Sequence, residues 1–353
     1  MIQNKIVVGI SHGDINGVSY EVIIKALMDN RIFDFCVPIV YGSAKVAAYH
    51  RKALNITNFS FNNIKSASEA NTKRANIINC LDDNVRVELG KSTNIAGESS
   101  LISLENAVKD LKEGKIDVLV TAPINKDNVQ SEKFNFPGHT EYLTNESNSK
   151  ESLMFMVSEN LKVGVVTTHI PLNEVSEAIT EEAIISKLRI MNKSLIQDFR
   201  IRKPKIAVLG LNPHAGDSGL LGKEEVDIII PTLNKAKDEG ILALGPYPAD
   251  GFFGSDNFKK FDAILAMYHD QGLTPFKALA FNSGINYTAG LDFIRTSPGH
   301  GTAFELAGLN QASEVSFRNA LYLACDIYRN RTEYKEISKN PLQAHDASDI
   351  ESD

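Results

Sequence analysis

Short, nearly continuous apolar runs alternate along this chain with amphipathic helical patterns. Ile6–Ile10 and Lys205–Gly210 have the length and composition of buried strands, whereas Ser99–Lys112 and Thr180–Phe199 repeat apolar residues at helical spacing. Strands that are apolar throughout and separated by helices are typical of a parallel sheet covered on both faces. The pattern therefore predicts an α/β fold with a largely parallel sheet and helices on both of its faces.

The same criteria predict the remaining elements of the chain. Further strands are expected at Pro38–Tyr41, Asp117–Thr121, Leu153–Val157, Val163–Thr167, Phe261–Met267 and Lys277–Phe281. Further helices are expected at Tyr20–Met28, Ala44–Leu54, Lys223–Lys237, Gly301–Leu309 and Ser313–Arg329. Residues 55–92 are polar and read as irregular, and the acidic tail 339–353 is predicted to be disordered.

Composition argues against two classes of partner. With 44 acidic and 37 basic residues the net charge is −7, which does not favour nucleic acid, and no stretch approaches the roughly 20 apolar residues of a membrane span. Three isolated cysteines and a short N-terminal apolar run indicate a cytoplasmic protein without a signal peptide. An anionic substrate would have to be bound by a local cluster of cations.

Four predicted strands are each followed closely by a histidine or a lysine: Lys126, His169, His214 and His269. In open α/β sheets, ligands bind beyond the carboxyl ends of the strands, so these side chains are expected to converge. Three neutral imidazoles suit Zn²⁺, Co²⁺ or a related ion and leave positions open for a substrate. A single histidine after a strand is more often a turn residue, so the metal hypothesis depends on three of them sharing this context.

Three other segments allow two readings each. Pro137–Glu141 is either a turn with Thr140 as helix N-cap or an anion pocket at a helix N-terminus. Lys277 and Arg295 lie near apolar segments, where an unpaired charge is costly, so each needs a salt bridge or an anionic ligand. The glycine-rich stretch Gly216–Gly222 does not match the dinucleotide fingerprint and is read as a flexible connection.

Taken together and in order, seven motifs resemble the 4-hydroxythreonine-4-phosphate dehydrogenase family of vitamin B6 biosynthesis. They are TAPINK, FPGHTEYL, VTTHIPL, GLNPHAGDSGLLGKEE, GPYPAD, AMYHDQGLTPFK and GLDFIRTSPGHGTAFELAG. The resemblance extends from Val8 to about Arg329. It implies a fold like that of isocitrate and isopropylmalate dehydrogenases, with one domain formed by residues 1–130 and 290–335 and another by 131–289. It also implies a homodimer whose active site lies between the domains and at the subunit interface.

The resemblance assigns roles to particular residues of this chain. The divalent metal ligands would be His169, His214 and His269, with His269 supplied by the partner subunit. The substrate would be bound by His139, Thr140, Lys277, Asn286 and Arg295. NAD or NADP would contact the Gly299–Gly308 loop through His300, Gly301 and Thr302. Zn²⁺, Co²⁺ or Mg²⁺ could be the metal, and the candidates for general acid or base are Lys126, Lys277 and Asp270.

The activity implied is oxidation and decarboxylation of 4-phosphooxy-L-threonine to 3-amino-2-oxopropyl phosphate, a step in pyridoxal 5′-phosphate biosynthesis. Three alternatives stay open. One is a related dehydrogenase of threonate or erythronate 4-phosphate, which would need the same metal and phosphate contacts. A phosphate acyltransferase of related fold would need neither the three histidines nor NAD. The last is a metal- or metabolite-binding protein without catalytic activity.

The chain departs from the family pattern in two places. The N-terminal motif GDPAGIGPE reads Gly13-Asp14-Ile15-Asn16-Gly17-Val18-Ser19-Tyr20-Glu21 here, without its prolines, and Gly299 stands where the family commonly has aspartate. Both departures bear on the contacts with the cofactor and leave the three histidines untouched.

Overall fold

The computed structural model describes residues 5–82, 84–131, 134, 136, 138–280 and 283–340. The strands in this part of the chain are β1 (Ile6–Ser11), β2 (Cys36–Gly42), β3 (Asn62–Ile64), β4 (Asn76–Asn79), β5 (Val118–Thr121), β6 (Leu153–Val157), β7 (Lys162–Val165), β8 (Ile206–Leu209), β9 (Ala243–Tyr247), β10 (Ala263–Ala266), β11 (Ile285–Ala289) and β12 (Arg295–Pro298). The helices are α1 (Ser19–Leu27), α2 (Ile32–Phe35), α3 (Ala44–Ala53), α4 (Asn94–Lys112), α5 (His139–Glu146), α6 (Val175–Ala178), α7 (Glu181–Gln197), α8 (Ile230–Asp238), α9 (Ala249–Phe253), α10 (His269–Ala280) and α11 (Val315–Ile337).

All of these strands belong to one sheet, in the order β3-β4-β2-β1-β5-β12-β11-β6-β7-β10-β8-β9. Its only antiparallel pairings are the three consecutive ones from β12 through β11 and β6 to β7, as far as the described residues extend. Each antiparallel pairing reverses the strand direction, and an odd number of reversals leaves the direction reversed. The parallel strands on the β5 side therefore run opposite to those on the β7 side. The predicted α/β fold with a largely parallel sheet is confirmed, with an antiparallel centre that the sequence pattern did not reveal.

Helices cover both faces of the sheet, but the two faces differ. On one face a single apolar core, to which α1, α7 and α11 contribute, extends across both halves of the sheet. On the other face the core is split into two clusters, one under α4 and one under α10. The gap between these clusters lies over the central strands β12, β11 and β6, and a cavity opens there.

Threonine caps begin two of the long helices. The hydroxyl of Thr180 accepts a hydrogen bond from the backbone N–H of Ala183, as predicted for the start of α7. Thr93 caps α4 in the same way through the N–H of Ala96, so that helix begins five residues before the predicted Ser99.

Three predicted elements are wrong. Lys277 and its neighbours up to Ala280 form the end of helix α10 instead of a strand, because Leu273 and Phe276 are buried at helical spacing; Phe281 lies outside the described residues. The predicted helix Gly301–Leu309 is reduced to a short 3₁₀ turn at Phe304–Leu306. The segment 55–92, read as irregular, contains β3 and β4, whose short polar sequences lack the apolar run of a buried strand.

Two further observations concern the ends and the surface of the molecule. Lys339 and Asn340 are exposed after the end of α11, and the remainder of the predicted disordered tail lies outside the described residues. Among the helices that the structure describes, none combines the length and the apolar character that crossing a bilayer requires.

Candidate active site

A cavity of about 240 Å³ lies on one face of the sheet where its two halves meet. Its floor is formed by alternate residues of the central strands: Asn286 of β11 is paired with Ser297 of β12 on one side and with Met156 of β6 on the other. Because alternate residues of a strand point to the same face, this register places the three side chains in one row. The loop after β5 closes one wall, and the segments after β7 and β10 close the other.

Arg295 is the largest fully buried side chain of the structure, at 2% exposure, and it lines this cavity. Its guanidinium donates to the Thr121 hydroxyl at 3.0 and 2.7 Å and to the Thr288 hydroxyl at 3.1 Å. No carboxylate of the described residues forms a salt bridge with it. Burial lowers the pKa of Arg295 to about 10, so the group stays charged at neutral pH. A buried cation held only by neutral groups is prepared for an anionic ligand.

His139, the first residue of helix α5, lies beside this arginine. Its Nδ1 is 3.3 Å from a guanidinium nitrogen of Arg295. Because arginine only donates, Nδ1 accepts, and the ring proton resides on Nε2. Burial, helped by the charges of Arg295 and Lys126, holds the pKa of His139 well below its ordinary value, so the ring is neutral. Its Nε2 is buried without a hydrogen-bond partner and is available to donate to a ligand.

His169, in the segment after β7, is held from both sides. Its Nδ1 is 3.2 Å from Oε1 of Glu141, and its Nε2 is 3.1 Å from the Nζ of Lys126. A carboxylate can only accept, so Nδ1 carries the proton and the Nε2 lone pair is directed towards the cation. Burial is the largest influence on Glu141 and would raise its pKa, but the hydrogen bonds it accepts, first that from His169, and the charges of His169 and Lys126 together lower the pKa overall.

His269, the first residue of α10, faces His169 across the cavity with their ring centroids 5.9 Å apart. Its Nδ1 is 2.7 Å from Oδ1 of Asp270, which again leaves the Nε2 lone pair free. His169 and His269 of the same chain share one cavity, whereas the resemblance implied that His269 would come from the partner subunit. Asp270 does not line that cavity among the described residues and has a side chain 81% exposed, so its contact with His269 is its role here.

His214 is not brought to this cavity within one chain. It is exposed in the loop after β8, at the start of a run, His214–Ser218, whose φ angles are all positive, between 42° and 78°. Left-handed backbone costs roughly 1–2 kcal/mol for each non-glycine residue, so the loop needs strong anchors. The residues that the structure describes contain no group of three histidine, cysteine or acidic side chains placed to hold a metal. The predicted convergence of three imidazoles is thus seen for only two of them in a single chain.

The remaining predicted substrate residues, Thr140, Lys277 and Asn286, all line the cavity. Lys126, Lys277 and Arg295 give its lining three cationic side chains against one carboxylate, that of Glu141, among the described residues. Four buried polar atoms without a partner belong to its lining residues: Nε2 of His139, Oε2 of Glu141, Oδ1 of Asn286 and Nε2 of His300. Such atoms are costly unless a ligand or water satisfies them.

The predicted cofactor loop begins at the edge of the same cavity. His300 and Gly301 line it, whereas the carbonyl of Thr302 accepts a hydrogen bond from the N–H of Val18 at 3.0 Å. Gly17 approaches this carbonyl so closely that a Cβ there would lie 2.5 Å from its oxygen. The N-terminal motif therefore contacts the loop at Thr302 and restricts its position relative to β12.

Comparisons with known proteins agree with this geometry. Residues 34–324 match the family described as pyridoxal phosphate biosynthetic protein PdxA. The chain belongs to the PdxA family. It is 55% identical to a 4-hydroxythreonine-4-phosphate dehydrogenase of Bacteroides thetaiotaomicron over 97% of this chain and 94% of that protein. It is 37% identical, over 92% of its length and 99% of the other's, to an Oceanobacillus iheyensis protein assigned by prediction to D-threonate 4-phosphate dehydrogenase.

A solved structure shares the whole architecture. The crystal structure of 4-hydroxythreonine-4-phosphate dehydrogenase from Klebsiella pneumoniae superposes with a TM-score of 0.78, at 32% identity, covering 92% of this chain and all of that one. The overall fold described above is thus similar to that of this solved enzyme.

The sequence analysis did not identify the residues that hydrogen-bond to His169 and Arg295. Glu141 was visible within the FPGHTEYL motif but was given no role, and Thr121 and Thr288 carry no signal in the sequence. Tyr20, where the motif quoted for the resemblance has proline, is buried with its ring stacked between His12 and His50, whose centroids are 5.3 and 5.2 Å away.

Proposed function

We propose that the chain catalyses the nicotinamide-dependent oxidation and decarboxylation of 4-phosphooxy-L-threonine to 3-amino-2-oxopropyl phosphate in pyridoxal 5′-phosphate biosynthesis. The observation that carries this proposal is the buried guanidinium of Arg295, which forms no salt bridge among the described residues and lies in the same cavity as the His169–His269 pair. The buried guanidinium fits an anionic phosphate, and the histidine pair fits a metal that binds a hydroxy acid. The identity to the Bacteroides enzyme over nearly the full length supports the same activity.

The substrate phosphate is bound by Arg295, His139, Thr140 and Lys277 in this proposal. Arginine engages two oxygens at once, which favours phosphate over a single-point anion. Neutral His139 donates from Nε2, the atom that is buried without a partner. Asn286, whose Oδ1 also lacks a partner, faces the centre of the cavity and orients the body of the substrate.

His169 and His269 would hold a divalent ion, which we expect to be Zn²⁺, Co²⁺ or Mg²⁺. They fit this role because each donates Nδ1–H to a carboxylate, Glu141 or Asp270, so that Nε2 carries the lone pair. The Nε2 of His169 accepts from the Lys126 ammonium in this structure, and a bound ion would take the place of that contact. When bound, such an ion lowers the pKa of the substrate hydroxyl and stabilises the negative charge that develops as CO₂ leaves.

NAD or NADP would lie along His300, Gly301 and Thr302, at the edge of the cavity. This loop fits a cofactor because the Nε2 of His300 is buried without a partner beside the open face of Gly301. Bound there, the nicotinamide would supply the acceptor for the hydride of the substrate carbon that carries the hydroxyl. Lys126 or Lys277 would take the hydroxyl proton as the neutral amine, after its ammonium has lost a proton to solvent, since both side chains line the cavity among the described residues and Asp270 does not.

A second copy of the chain would complete the site with its His214. In support, eight large apolar side chains are exposed on the segments around His214: Ile170, Leu172, Leu220, Leu221, Val226, Ile230, Leu242 and Leu244. Two of these, Leu242 and Leu244, flank or belong to β9, the edge strand of the sheet. Exposed apolar side chains of this kind are typical of an oligomer contact, and they support the proposal of a homodimer with a shared site.

We also propose that residues 1–130 with 290–335 and residues 131–289 are two domains. Strands from the first set occupy the β3-to-β12 side of the sheet, and strands from the second set occupy the β11-to-β9 side. The cavity lies on their boundary. A cytoplasmic location is proposed on the sequence argument from sparse cysteines; Cys36, Cys80 and Cys325 are all free thiols.

The test is the appearance of NADH or NADPH absorbance when the purified protein, a divalent ion and the oxidised cofactor are mixed with 4-phosphooxy-L-threonine. D-threonate 4-phosphate and erythronate 4-phosphate are assayed in parallel, because a relative at 37% identity carries the D-threonate assignment. A higher kcat/KM with either sugar acid phosphate would replace the proposed substrate. Absence of any nicotinamide reduction would reject the dehydrogenase assignment.

A further inference from the structure

Glu225 is a buried carboxylate that serves the His214 loop. It is 1% exposed and begins the π-helical turn Glu225–Ile229, directly before α8. Such turns occur frequently at functional sites. No lysine, arginine or histidine of the described residues forms an ion pair with it, although burying an unpaired charge is costly. Its charge must therefore be balanced by other donors.

Those donors all come from the loop that follows β8. Oε1 of Glu225 accepts the backbone N–H of Leu211 at 2.8 Å and that of Asn212 at 2.7 Å, and Oε2 accepts the Asn212 side-chain amide at 2.9 Å. Hydrogen bonds to an ionised acceptor are about twice as strong as neutral ones. The carboxylate thus fixes the two residues that immediately precede Pro213 and His214.

Gly216, later in the same loop, also packs against the Glu225 carboxylate. A Cβ at Gly216 would lie 2.5 Å from Oε2 of Glu225, and the φ of Gly216 is +78°. Only a glycine fits both the contact and the left-handed backbone at this point. The strained run His214–Ser218 is therefore held between the Asn212 anchor and the Gly216 contact, both of which depend on Glu225.

We propose that Glu225 is a positioning residue that sets the place of His214, so that its imidazole can complete the metal site of a second copy. This inference rests on the proposed function, in which His214 is a metal ligand. Glu225 touches neither substrate nor metal, and it acts by holding a loop whose backbone would otherwise relax away from its left-handed conformation.

The experiment compares metal binding in four variants of the full-length protein: Glu225→Gln, Asn212→Ala, His214→Ala and Asp227→Asn. Asn212→Ala removes one anchor without altering the buried carboxylate, which keeps the inference testable if Glu225→Gln does not fold. Asp227→Asn is the matched control, because Asp227 is an exposed carboxylate on the same turn. Co²⁺ affinity by calorimetry and the visible spectrum of bound Co²⁺ are measured, because the spectrum reports the ligand set without turnover.

We expect Glu225→Gln and Asn212→Ala to weaken Co²⁺ binding by roughly 10–100-fold, as loss of a group that orients a ligand does, and to shift the spectrum towards that of His214→Ala. Asp227→Asn should match the unmodified protein. If His214→Ala retains the affinity and spectrum of the unmodified protein, the proposed role of His214 is wrong and this inference fails with it. If His214→Ala loses the metal while Glu225→Gln and Asn212→Ala both keep it, the inference about Glu225 alone is overturned.

Discussion

Arg295 and Thr121 are joined across two parallel strands, with two guanidinium nitrogens 3.0 and 2.7 Å from one hydroxyl oxygen. The hydroxyl fixes the plane of the guanidinium without neutralising it. This relationship explains how a charge can be buried at 2% exposure and still be available to an anion. In the proposed function it would also separate the binding of phosphate from the binding of metal, because neither residue hydrogen-bonds to His169 or His269.

The first prediction follows from this separation. Arg295→Lys keeps the charge but loses the planar fork, so substrate binding should weaken by about 1–3 kcal/mol while metal affinity hardly changes. Because part of the phosphate binding energy aligns the hydroxyl with the cofactor, kcat should fall as well. Steady-state kinetics with cofactor and metal saturating measure both effects. Unchanged kinetics together with a lower Tm would show that Arg295 is purely structural.

The second prediction concerns Glu141, which orients His169 from 3.2 Å. Glu141→Gln should lower the affinity for divalent metal by roughly 10–100-fold, because the amide holds the Nδ1 proton less strongly. Glu146→Gln, on the same helix but in a surface pair with Lys112, is the control and should bind metal normally. The measurement is calorimetric titration with Zn²⁺ or Co²⁺ after chelator treatment. Equal metal affinity in the two variants would show that Glu141 does not orient a metal ligand.

The third prediction tests the shared site. His214→Ala and His269→Ala should each be inactive alone, but mixing them under conditions of subunit exchange should restore activity. Random exchange produces heterodimers with one intact site, so about a quarter of the unmodified activity is expected. Leu220→Glu, at a side chain 78% exposed, should weaken the dimer in sedimentation, whereas Ile337→Glu, 69% exposed at the end of α11, should not. An inactive mixture of stable heterodimers would refute the shared site.

The fourth prediction concerns the support of the cofactor loop. In Gly17→Ala the new Cβ would meet the Thr302 carbonyl at 2.5 Å, so the loop must shift. The KM for NAD or NADP should rise while metal affinity is preserved. Gly251→Ala has open space around its Cβ and no positive φ, so it should leave every parameter unchanged. A normal cofactor KM in Gly17→Ala would mean that Thr302 does not position the cofactor.

The fifth prediction is a dependence of stability on pH. Burial lowers the pKa of His12 to about 4 and that of His50 to about 4. The unfolded chain binds these protons below about pH 6.5 and the folded chain does not, so stability is lost as the pH falls from 6.5 towards 4. Replacing His50 by Gln should reduce the slope of unfolding free energy against pH by up to about 1.4 kcal/mol per pH unit. Chemical denaturation at several pH values measures this, and an unaltered slope would contradict the burial argument.

The sequence by itself determined the class of fold, the family and the identity of most of the polar and charged side chains that line the cavity. Buried strands in a covered sheet are read from uninterrupted apolar runs, because burial on both faces leaves no polar alternation. The polar motifs between those runs are long and specific enough to mark the family. Local capping was also predictable, as Thr180 shows, since it depends only on residues three positions apart.

Only the tertiary structure decided which of these residues meet. The side chains of Thr121, Thr288 and Arg295 come together through strand pairings between distant parts of the chain, and such pairings leave no local trace in the sequence. The same holds for the parallel pairing of β7 with β10, which brings His169 and His269 into one cavity while His214, after β8, stays exposed. The segment around Lys277 was expected to be a strand for the same reason. Its conformation is a helix because Leu273 and Phe276 pack against the sheet, and the local sequence does not show that packing. Long-range contacts select among local conformations of similar energy, and that selection is a property of the folded chain.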